Sequence, residues 1–543
     1  MTPQTAGIRF NRASFLLLCG LSSVLAFQGG CAIVGSSSGS NNATVSGGVA
    51  QVCIGCLAIP PETITQLKAQ GITEAALNQF FNDLGRKNIP PEALDHELRE
   101  IAKHYLDLKT KIATLSSEDP EVTALIQQAR QAIEAVNFPL AERLFNEASQ
   151  RDEQAAQNLQ QGATVRLTSA AATQASNGDL QTVQLNFVKA QAYYQKALQL
   201  LPPTDKKHRG QYLISLGNSL QEAGIRAKGE DIHKFLRESV TAYRAALTVY
   251  TKEQLPQQWA MTQNNLGKVL GGQGTRTTGE AGTRLLAESV AAYRAALTVR
   301  TKEQLPQAWA MTQNNLGNVL REQGTRTGGE AGTRLLAEAV ATYREALTVH
   351  TKAQLPQAWA MTQNNLGATL SDQGTRTTGE AGTRLLAKAV AAYRAALTVY
   401  TRKDLPGMWA RIRPNVTEAL LFQHDWSSVI SDVVGLGTDP LIDAGTEIAL
   451  RSLEVIAMIG QGERARIPHK LKALREWVIA QHQAIPRTWD FESTKLFIKT
   501  DEYLAGDRVW LLDLIAAVEQ QDRETMLAGL EAVQAKFSIS RAP

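Results

Sequence analysis

Cysteine is scarce in this 543-residue chain, and all four cysteines lie within its first 56 positions. The remaining residues must therefore fold without disulfide bonds. Cys53 and Cys56 form a C-x-x-C beside Pro60, where no helix is predicted that could lower a thiol pKa. We predict a small structural disulfide between Cys53 and Cys56, in preference to a redox pair or a metal site, because no second cysteine or histidine cluster completes a zinc ligand set.

Net charge and aromatic residues are also sparse: the formal charge is +4 at pH 7, and 6% of the residues are aromatic. No basic run is dense enough to predict a nucleic-acid surface. The glycine-rich stretch 271–276 lacks the Lys-Ser/Thr pair of a phosphate-binding loop. The eight histidines are scattered, without metal-like pairs. We therefore predict that the chain is not an enzyme and needs neither a metal nor a cofactor.

Long apolar runs are missing except near the N-terminus. Arg9 and Arg12 precede an apolar run over residues 13–27 that is too short to span a bilayer comfortably. This arrangement predicts an export signal over residues 1–32, followed by a Ser/Gly-rich linker over 33–60 that suits a tethered domain. We therefore expect an exported protein that is either periplasmic or tethered to a membrane.

The signal has more than one possible ending. Gly29-Gly30-Cys31 resembles a bacterial lipoprotein box, which predicts a lipid anchor on Cys31. Gln28 stands where that box prefers an aliphatic residue. Ordinary cleavage close to this position and an uncleaved signal anchor therefore remain open alternatives.

A block of fifty residues is written three times, almost unchanged, between Leu255 and Asp404. A diverged first copy precedes it, so the repeats cover residues 207–422. Self-similarity at a fixed period predicts stacked repeats, which usually bind other macromolecules along an extended surface. The anchors that recur every fifty positions are Trp259, Trp309, Trp359, Leu266, Leu316, Leu366, Tyr293, Tyr343 and Tyr393.

The regions around the repeats are also predicted to be helical. Residues 61–160 form an N-terminal helical region, 161–206 a helical transition similar to the repeats, and 423–543 a C-terminal region of diverged repeats or a cap. Within the transition, the stretch 161–180 is rich in Gln, Ala, Ser and Thr. We predict a break or a long turn there, with helix resuming at Thr182.

One segment before the repeats, residues 91–115, carries a heptad stripe with the spacing 4-3-4-3-4-3. Such a stripe packs against helices of its own chain or joins two copies of the chain. We favour the first and keep a homo-oligomer through 91–115 as the alternative. The stripe consists of Leu94, Leu98, Ile101, Tyr105, Leu108, Ile112 and Leu115.

Each copy is predicted to hold two helices. In the second copy, helix A covers 256–272 and helix B covers 283–302, and the stretch 274–282 between them is predicted to be a projecting loop because it is rich in Gly and Thr. Its charged residues would form an exposed, mutually neutralised edge or, alternatively, a binding edge for acidic groups. They are Arg276, Arg326 and Arg376 beside Glu280, Glu330 and Glu380.

The repeated residues resemble the tetratricopeptide repeat family. That pattern pairs Leu-Gly on helix A with a small residue, an aromatic residue and an alanine on helix B, at spacings of 4 and 3. The family repeat has 34 residues, so we expect about ten of the additional residues of this extended variant to enter the turn between its helices. The matching positions are Leu266-Gly267, Ser289, Tyr293, Ala296; Leu316-Gly317, Ala339, Tyr343, Ala346; and Leu366-Gly367, Ala389, Tyr393, Ala396.

The resemblance implies an all-α fold, a right-handed α-solenoid of stacked helix-turn-helix repeats, with helix A forming a concave wall. Asparagine amides beside adaptable methionines would suit an extended peptide on that wall. Asn265, Asn315 and Asn365 are interpreted as scaffold, and Ala368 takes a wall position in the last copy. The predicted partner-binding residues are Met261, Asn264, Lys268, Met311, Asn314, Asn318, Met361, Asn364 and Arg411.

We therefore predict an exported scaffold or adaptor that binds a protein or peptide, and not nucleic acid, on its concave helix-A wall. The alternative is a self-associating structural module without a foreign ligand.

Overall fold

The computed structural model describes residues 53–54, 57–86, 89, 93–158, 163–436, 439, 441–481, 485, 489, 491–520 and 522–539. The predicted export signal, Cys31 and Cys56 lie outside these residues, so the lipid anchor and the disulfide remain predictions. No helix in the described ranges combines the length and the apolar character that crossing a membrane requires.

The described ranges contain 22 α-helices and two strands of two residues. Strand β1 (Cys53–Ile54) pairs antiparallel with β2 (Leu57–Ala58). The helices before the repeats are α1 (Pro61–Ala69), α2 (Glu74–Arg86), α3 (Leu94–Ala113), α4 (Pro120–Glu134), α5 (Phe138–Asn158), α6 (Ala163–Val183) and α7 (Phe187–Leu200).

The repeat helices are α8 (Lys206–Arg226), α9 (Asp231–Val249), α10 (Pro256–Thr275), α11 (Gly279–Leu297), α12 (Pro306–Arg326), α13 (Gly329–Leu347), α14 (Pro356–Thr375), α15 (Gly379–Leu397) and α16 (Pro406–Phe422). The C-terminal helices are α17 (Trp426–Leu436), α18 (Ala444–Gly460), α19 (Ile467–Ala480), α20 (Glu492–Thr500), α21 (Arg508–Val518) and α22 (Arg523–Ile539).

Consecutive helices pack in tandem pairs, which confirms the all-α, solenoid-like repeat fold. Helices α8, α10, α12, α14 and α16 take the helix-A position, and α9, α11, α13 and α15 take the helix-B position. Successive A helices touch one another more closely than successive B helices do. We call the exposed surface of α10, α12, α14 and α16 the helix-A wall.

A tyrosine ring lying on a glycine joins the two helices of each repeat. In the third repeat, a Cβ atom on Gly317 would lie 2.7 Å from the ring of Tyr343, which is too close for any side chain. Small residues let the helices approach, and the buried ring fills the space between them. The same contact joins Gly217 to Tyr243, Gly267 to Tyr293 and Gly367 to Tyr393.

The turn between the helices differs from the prediction. The additional residues do not form a projecting loop of about ten residues, because α10 runs on to Thr275 and α11 begins at Gly279. The insertion therefore lengthens both helices, and only residues 276–278 connect them. Gly279 opens α11 with φ of +66°, a left-handed conformation that favours glycine.

A second glycine in each turn is required by close contact with the main chain. A Cβ atom on Gly332 would lie 2.0 Å from the carbonyl oxygen of Thr327, and Gly282 and Gly382 stand in the same position against Thr277 and Thr377. The return of the chain into helix B is therefore possible only with glycine at this position.

We expect Gly332→Ala to lower the free energy of unfolding by about 1–3 kcal/mol, the range for overpacking a site that cannot relax. Urea denaturation followed by circular dichroism would measure it. Gly328→Thr is the matched control, because Gly328 has no atom within 4 Å of its ideal Cβ and the neighbouring copies carry Thr278 and Thr378 there. Equal effects of the two substitutions would contradict this account of the turn.

The arginines of the turns bind the main chain of the preceding repeat. Arg326 donates from its guanidinium to the carbonyl oxygens of Gly274, Thr275 and Thr277, at 3.0, 2.7 and 2.9 Å. These carbonyls lie at the C-terminal end of α10, where the helix dipole favours a cation. Arg376 repeats the arrangement on Gly324, Thr325 and Thr327.

This arrangement corrects both interpretations of the charged edge. Arg326 and Arg376 are neither a free binding edge nor partners of Glu330 and Glu380; Arg326 instead pairs with Glu322 of its own helix at 2.7 Å. Glu330 and Glu380 instead lie near Arg334 and Arg384 on their own helices, at 3.8 and 3.0 Å, and remain more than four-fifths exposed. Arg276 differs from the other two, because it donates to Gly272 within its own helix.

We expect Arg326→Ala to lower the free energy of unfolding by about 1.5 kcal/mol, the lower end of the range for hydrogen bonds from a charged donor, since the side chain is partly exposed. Arg276→Ala removes the equivalent charge without a contact between repeats and should change stability by less than about 0.5 kcal/mol. Thermal and urea melts of both variants test this difference. An Arg276 variant as unstable as the Arg326 variant would contradict it.

The heptad stripe packs inside its own chain. Six of its seven residues, from Leu94 to Ile112, are no more than 3% exposed, and Tyr105 donates from its hydroxyl to the carbonyl oxygen of Ile133. This matches the favoured interpretation of the stripe. The surface through which 91–115 would join two copies is occupied by helices of the same chain.

The predicted break over 161–180 is wrong, because α6 spans Ala163–Val183. Its small residues do not interrupt the helix; they let it be buried on nearly every side. A Cβ atom on Gly178 would lie 2.6 Å from the ring of Tyr194, which is the glycine–tyrosine contact of the repeats. Helices α6 and α7 therefore form a further repeat-like pair.

The C-terminal helices share one apolar core with the last repeats. Buried residues of α15 and α16 belong to the same cluster as those of α18, α19, α21 and α22. Trp510 lies in this core and donates from its indole nitrogen to a carboxylate oxygen of Asp507 at 2.9 Å. His469, in contrast, is exposed.

Candidate functional site

The methionines of the helix-A wall are exposed at equivalent positions. Met261, Met311 and Met361 have 38, 45 and 39% of their surface exposed, which is unusual for large apolar side chains in this protein. Lys268 and Asn318, seven positions after the first two methionines, are also exposed. These residues occupy the wall positions that the sequence predicts.

The asparagines predicted on the wall are not exposed as the methionines are. Asn264 and Asn314 are 5 and 2% exposed, so their amides lie between repeats and not on the open wall. The hydroxyl of Thr312 lies 3.2 Å from Asn264 Oδ1, and Asn365 donates to Asn314 Oδ1 at 3.2 Å. The expected inward presentation is thus corrected for these two amides, which bind neighbouring repeats together.

Asn318 is exposed on the wall and also forms a hydrogen bond with a buried side chain of its own repeat. Its Oδ1 accepts a hydrogen bond from the hydroxyl of Tyr343 at 2.7 Å, and Asn218 does the same for Tyr243 at 2.5 Å. The wall position two residues after each leucine therefore lies directly above the buried tyrosine of its own repeat.

We expect Asn314→Ala to lower the free energy of unfolding by about 1 kcal/mol or more, because the amide of Asn365 then loses its partner. Met311→Ala, on the exposed wall of the same helix, should change stability by less than about 0.5 kcal/mol. Chemical denaturation of the two variants measures the difference. If Asn314→Ala were as harmless as Met311→Ala, the amide would not contribute to the junction between repeats.

A cavity of about 720 Å³ lies where the helix-A wall of the fourth repeat meets the C-terminal region. It brings together two predicted site residues, Asn364 and Arg411, with the wall residue Ala368. Helices α12, α14, α15 and α16 contribute one side, and residues after 440 close the other. The charged, polar and aromatic lining residues are Arg321, Asn364, Asn365, Ser371, Asp372, Tyr393, Arg411, Asn415, Glu418, Asp443, Thr446, Trp489 and Ser493.

The charges around this cavity are largely engaged within the protein. Arg321 donates to Asp372 at 2.5 Å; burial alone would lower the pKa of Arg321, but the carboxylate of Asp372 outweighs it and raises that pKa. Glu418 accepts from Thr494 at 2.6 Å, and Asp443 caps α18 through Thr446. Arg411 is exposed and forms no hydrogen bond or ion pair with any residue of the described ranges.

Most lining residues of this cavity, including Arg321, Tyr393 and Trp489, were not among the residues predicted to bind a partner. Arg321 stands where the neighbouring copies carry Gly271 and Ser371, so the departure from the repeat is visible in the sequence. Tyr393 was identified only as a packing anchor, and burial raises the pKa of its phenol well above the ordinary value, so the hydroxyl stays protonated. Trp489 comes from the C-terminal region, whose position against the repeats has no signal in the sequence.

A second cavity, of about 810 Å³, lies between the turns of the third and fourth repeats and α20. His424, with φ of +62°, places its Nε2 atom 2.5 Å from Asp501 Oδ2, and the ring of Tyr503 lies 4.8 Å from that of His424. This contact ties the end of the repeats to the C-terminal region. Within the described ranges, no cluster of three or more His, Cys, Asp or Glu residues could hold a metal ion.

No protein-family model matches this sequence, and no curated protein matches it either. Among solved structures, the chain is similar to a protein described as a circular tandem repeat protein with novel repeat topology and enhanced subunit contact surfaces. The identity is 13%, the match covers 81% of this chain and 98% of the other, and the TM-score is 0.27. The fold described above therefore rests on the helix packing of the chain itself.

Proposed function

We propose that this protein is an exported scaffold or adaptor of the tetratricopeptide type that binds a protein or peptide segment along its helix-A wall. The supporting observation is the row of exposed methionines, because three large apolar side chains recur at the same place in three adjacent repeats. A row of adaptable apolar side chains on a rigid support suits an extended segment with varied side chains.

The helix packing supports the tetratricopeptide assignment. Gly178, Ala190, Tyr194 and Ala197 of the α6–α7 pair have spacings of 12, 4 and 3, which is the family spacing without insertion. All four are buried, as the family pattern requires. In the fifty-residue copies the first spacing grows to 22, while the contact between glycine and tyrosine is kept.

Binding on the wall is tested with displayed random peptides and the purified protein. Replacing Met261, Met311 and Met361 together by Glu should weaken the selected peptides by about tenfold or more, because buried contact residues dominate such interfaces. The control variant places Glu at Ala287, Ala337 and Ala387, which are exposed on helix B of the same repeats. Equal weakening by both variants, or no selectable peptide, would contradict the wall as the binding surface.

The location outside the cytoplasm is a proposal from the N-terminal sequence. If Cys31 carries a lipid, Cys31→Ala should abolish labelling of the protein with radioactive palmitate, whereas Cys19→Ala, inside the signal, should leave the labelling unchanged. Immunoprecipitation after metabolic labelling measures this. A Cys31 variant that is labelled as strongly as the parent would argue for a different ending of the signal.

A further inference from the structure

The cavity at the end of the repeats coincides with two departures from the repeat sequence. The first is Ala368, which stands where the first and third repeats carry Asn218 and Asn318 and the second carries Lys268. Asn218 and Asn318 accept a hydrogen bond from the tyrosine beneath them. An alanine cannot accept that bond.

The hydroxyl of Tyr393 consequently lacks the wall partner that Tyr243 and Tyr343 have. Tyr393 is 3% exposed, lines the cavity, and forms no hydrogen bond with any residue that the structure describes. Because Tyr393 lines the cavity, its hydroxyl is free to donate to a ligand bound there.

The second departure is Ile412, which stands where the three preceding copies carry Thr262, Thr312 and Thr362. The hydroxyl of Thr312 lies within hydrogen-bond distance of Oδ1 of Asn264 on the preceding repeat. Asn364 occupies the position of Asn264 but faces an isoleucine, and its Oδ1 is buried without a hydrogen-bond partner among the described residues. Asn364 donates from Nδ2 to Asn365, so its amide is held in place.

A third polar atom without a partner belongs to the C-terminal region. Trp489 lines the same cavity, and its indole nitrogen is buried without a partner among the described residues. The cavity therefore holds a phenol hydroxyl, an indole N–H and an amide oxygen that no described residue satisfies.

We propose that this cavity is an anchor pocket for a primary carboxamide, the side chain of a glutamine or asparagine in the segment bound along the helix-A wall. The carbonyl oxygen of the ligand accepts from the hydroxyl of Tyr393 and the indole N–H of Trp489, and its NH₂ group donates to Oδ1 of Asn364. This inference rests on the proposed function and adds a specificity to it.

The charges favour a neutral group over a carboxylate. Three carboxylates, Asp372, Glu418 and Asp443, line the cavity against two guanidinium groups, those of Arg321 and Arg411. A carboxylate would also leave Oδ1 of Asn364 facing another acceptor, whereas a carboxamide supplies the missing donor. Arg411 is exposed and remains available to the flanking part of the segment.

The test uses peptide sublibraries with random flanks and one fixed central residue, either Gln, Asn, Glu, Leu or Lys, presented to the purified full chain. We expect capture of the Gln or Asn sublibrary to exceed that of the Glu and Leu sublibraries by about tenfold, because a site that leaves its polar groups unpaired with the wrong side chain discriminates strongly.

Two substitutions that restore the residue of another repeat should satisfy the unpaired groups of the pocket. Ala368→Asn reproduces Asn318 and should accept the hydroxyl of Tyr393, and Ile412→Thr reproduces Thr312 and should satisfy Asn364. Each should remove the carboxamide preference while leaving the melting temperature unchanged or higher. Ala387→Asn, which adds an amide on the exposed face of helix B in the same repeat, is the control and should keep the preference.

The outcomes separate this inference from the proposed function. If the sublibraries bind without a carboxamide preference, if Glu is preferred, or if the preference survives both Ala368→Asn and Ile412→Thr, the pocket assignment is wrong while binding on the wall stands. If no sublibrary is captured, the proposed function fails together with the pocket.

Discussion

The contact between a glycine of helix A and a tyrosine ring of helix B is the constraint on which the rest of the structure depends. It sets how closely the two helices approach, and it occurs in the four fifty-residue copies and in the shorter α6–α7 pair. Because the ring lies on the glycine, the residue directly after that glycine on helix A stands above the phenol hydroxyl. The residue at this wall position therefore determines whether the hydroxyl of the buried tyrosine has a hydrogen-bond partner.

Polar groups add to the apolar contacts that join the repeats. Arginines cap the helix ends of the preceding repeat, and asparagine amides join adjacent A helices. These groups are buried or partly buried and satisfied, which is the condition under which polar groups stabilise an interior. Where Ile412 replaces the threonine of the other copies, Oδ1 of Asn364 is left buried without a partner among the described residues.

Much of the fold could be predicted from the sequence, because the fifty-residue period and the glycine, tyrosine and alanine anchors determine the helix pairs. The turn could not, since Gly and Thr usually indicate a loop. Here Gly279 instead begins α11 in a left-handed conformation, and Gly332 lies in the first turn of α13 in close contact with the main chain of Thr327. Helix α6 was missed for a related reason: its small polar residues have low helix propensity but fit a position that is buried on nearly every side.

The candidate site was predictable only in part. Spacing identified which residues share a helix face, so the exposed methionines were found. It could not show that Asn264 and Asn314 point between repeats, because that depends on the rotation of each A helix against its neighbour. The position of Trp489 depends on the packing of the C-terminal region, for which no local pattern exists.

The turn arginines do not join every pair of adjacent repeats. Arg326 and Arg376 link the second repeat to the third and the third to the fourth, whereas Arg276 stays within its own helix, and Arg226 pairs with Glu97 of α3. In a linear array, stability is the sum of the repeats and of the coupling between neighbours. The three nearly identical copies are therefore joined by an arginine link that the junction between the first and second repeats lacks, so the first repeat is coupled to the stack by different contacts.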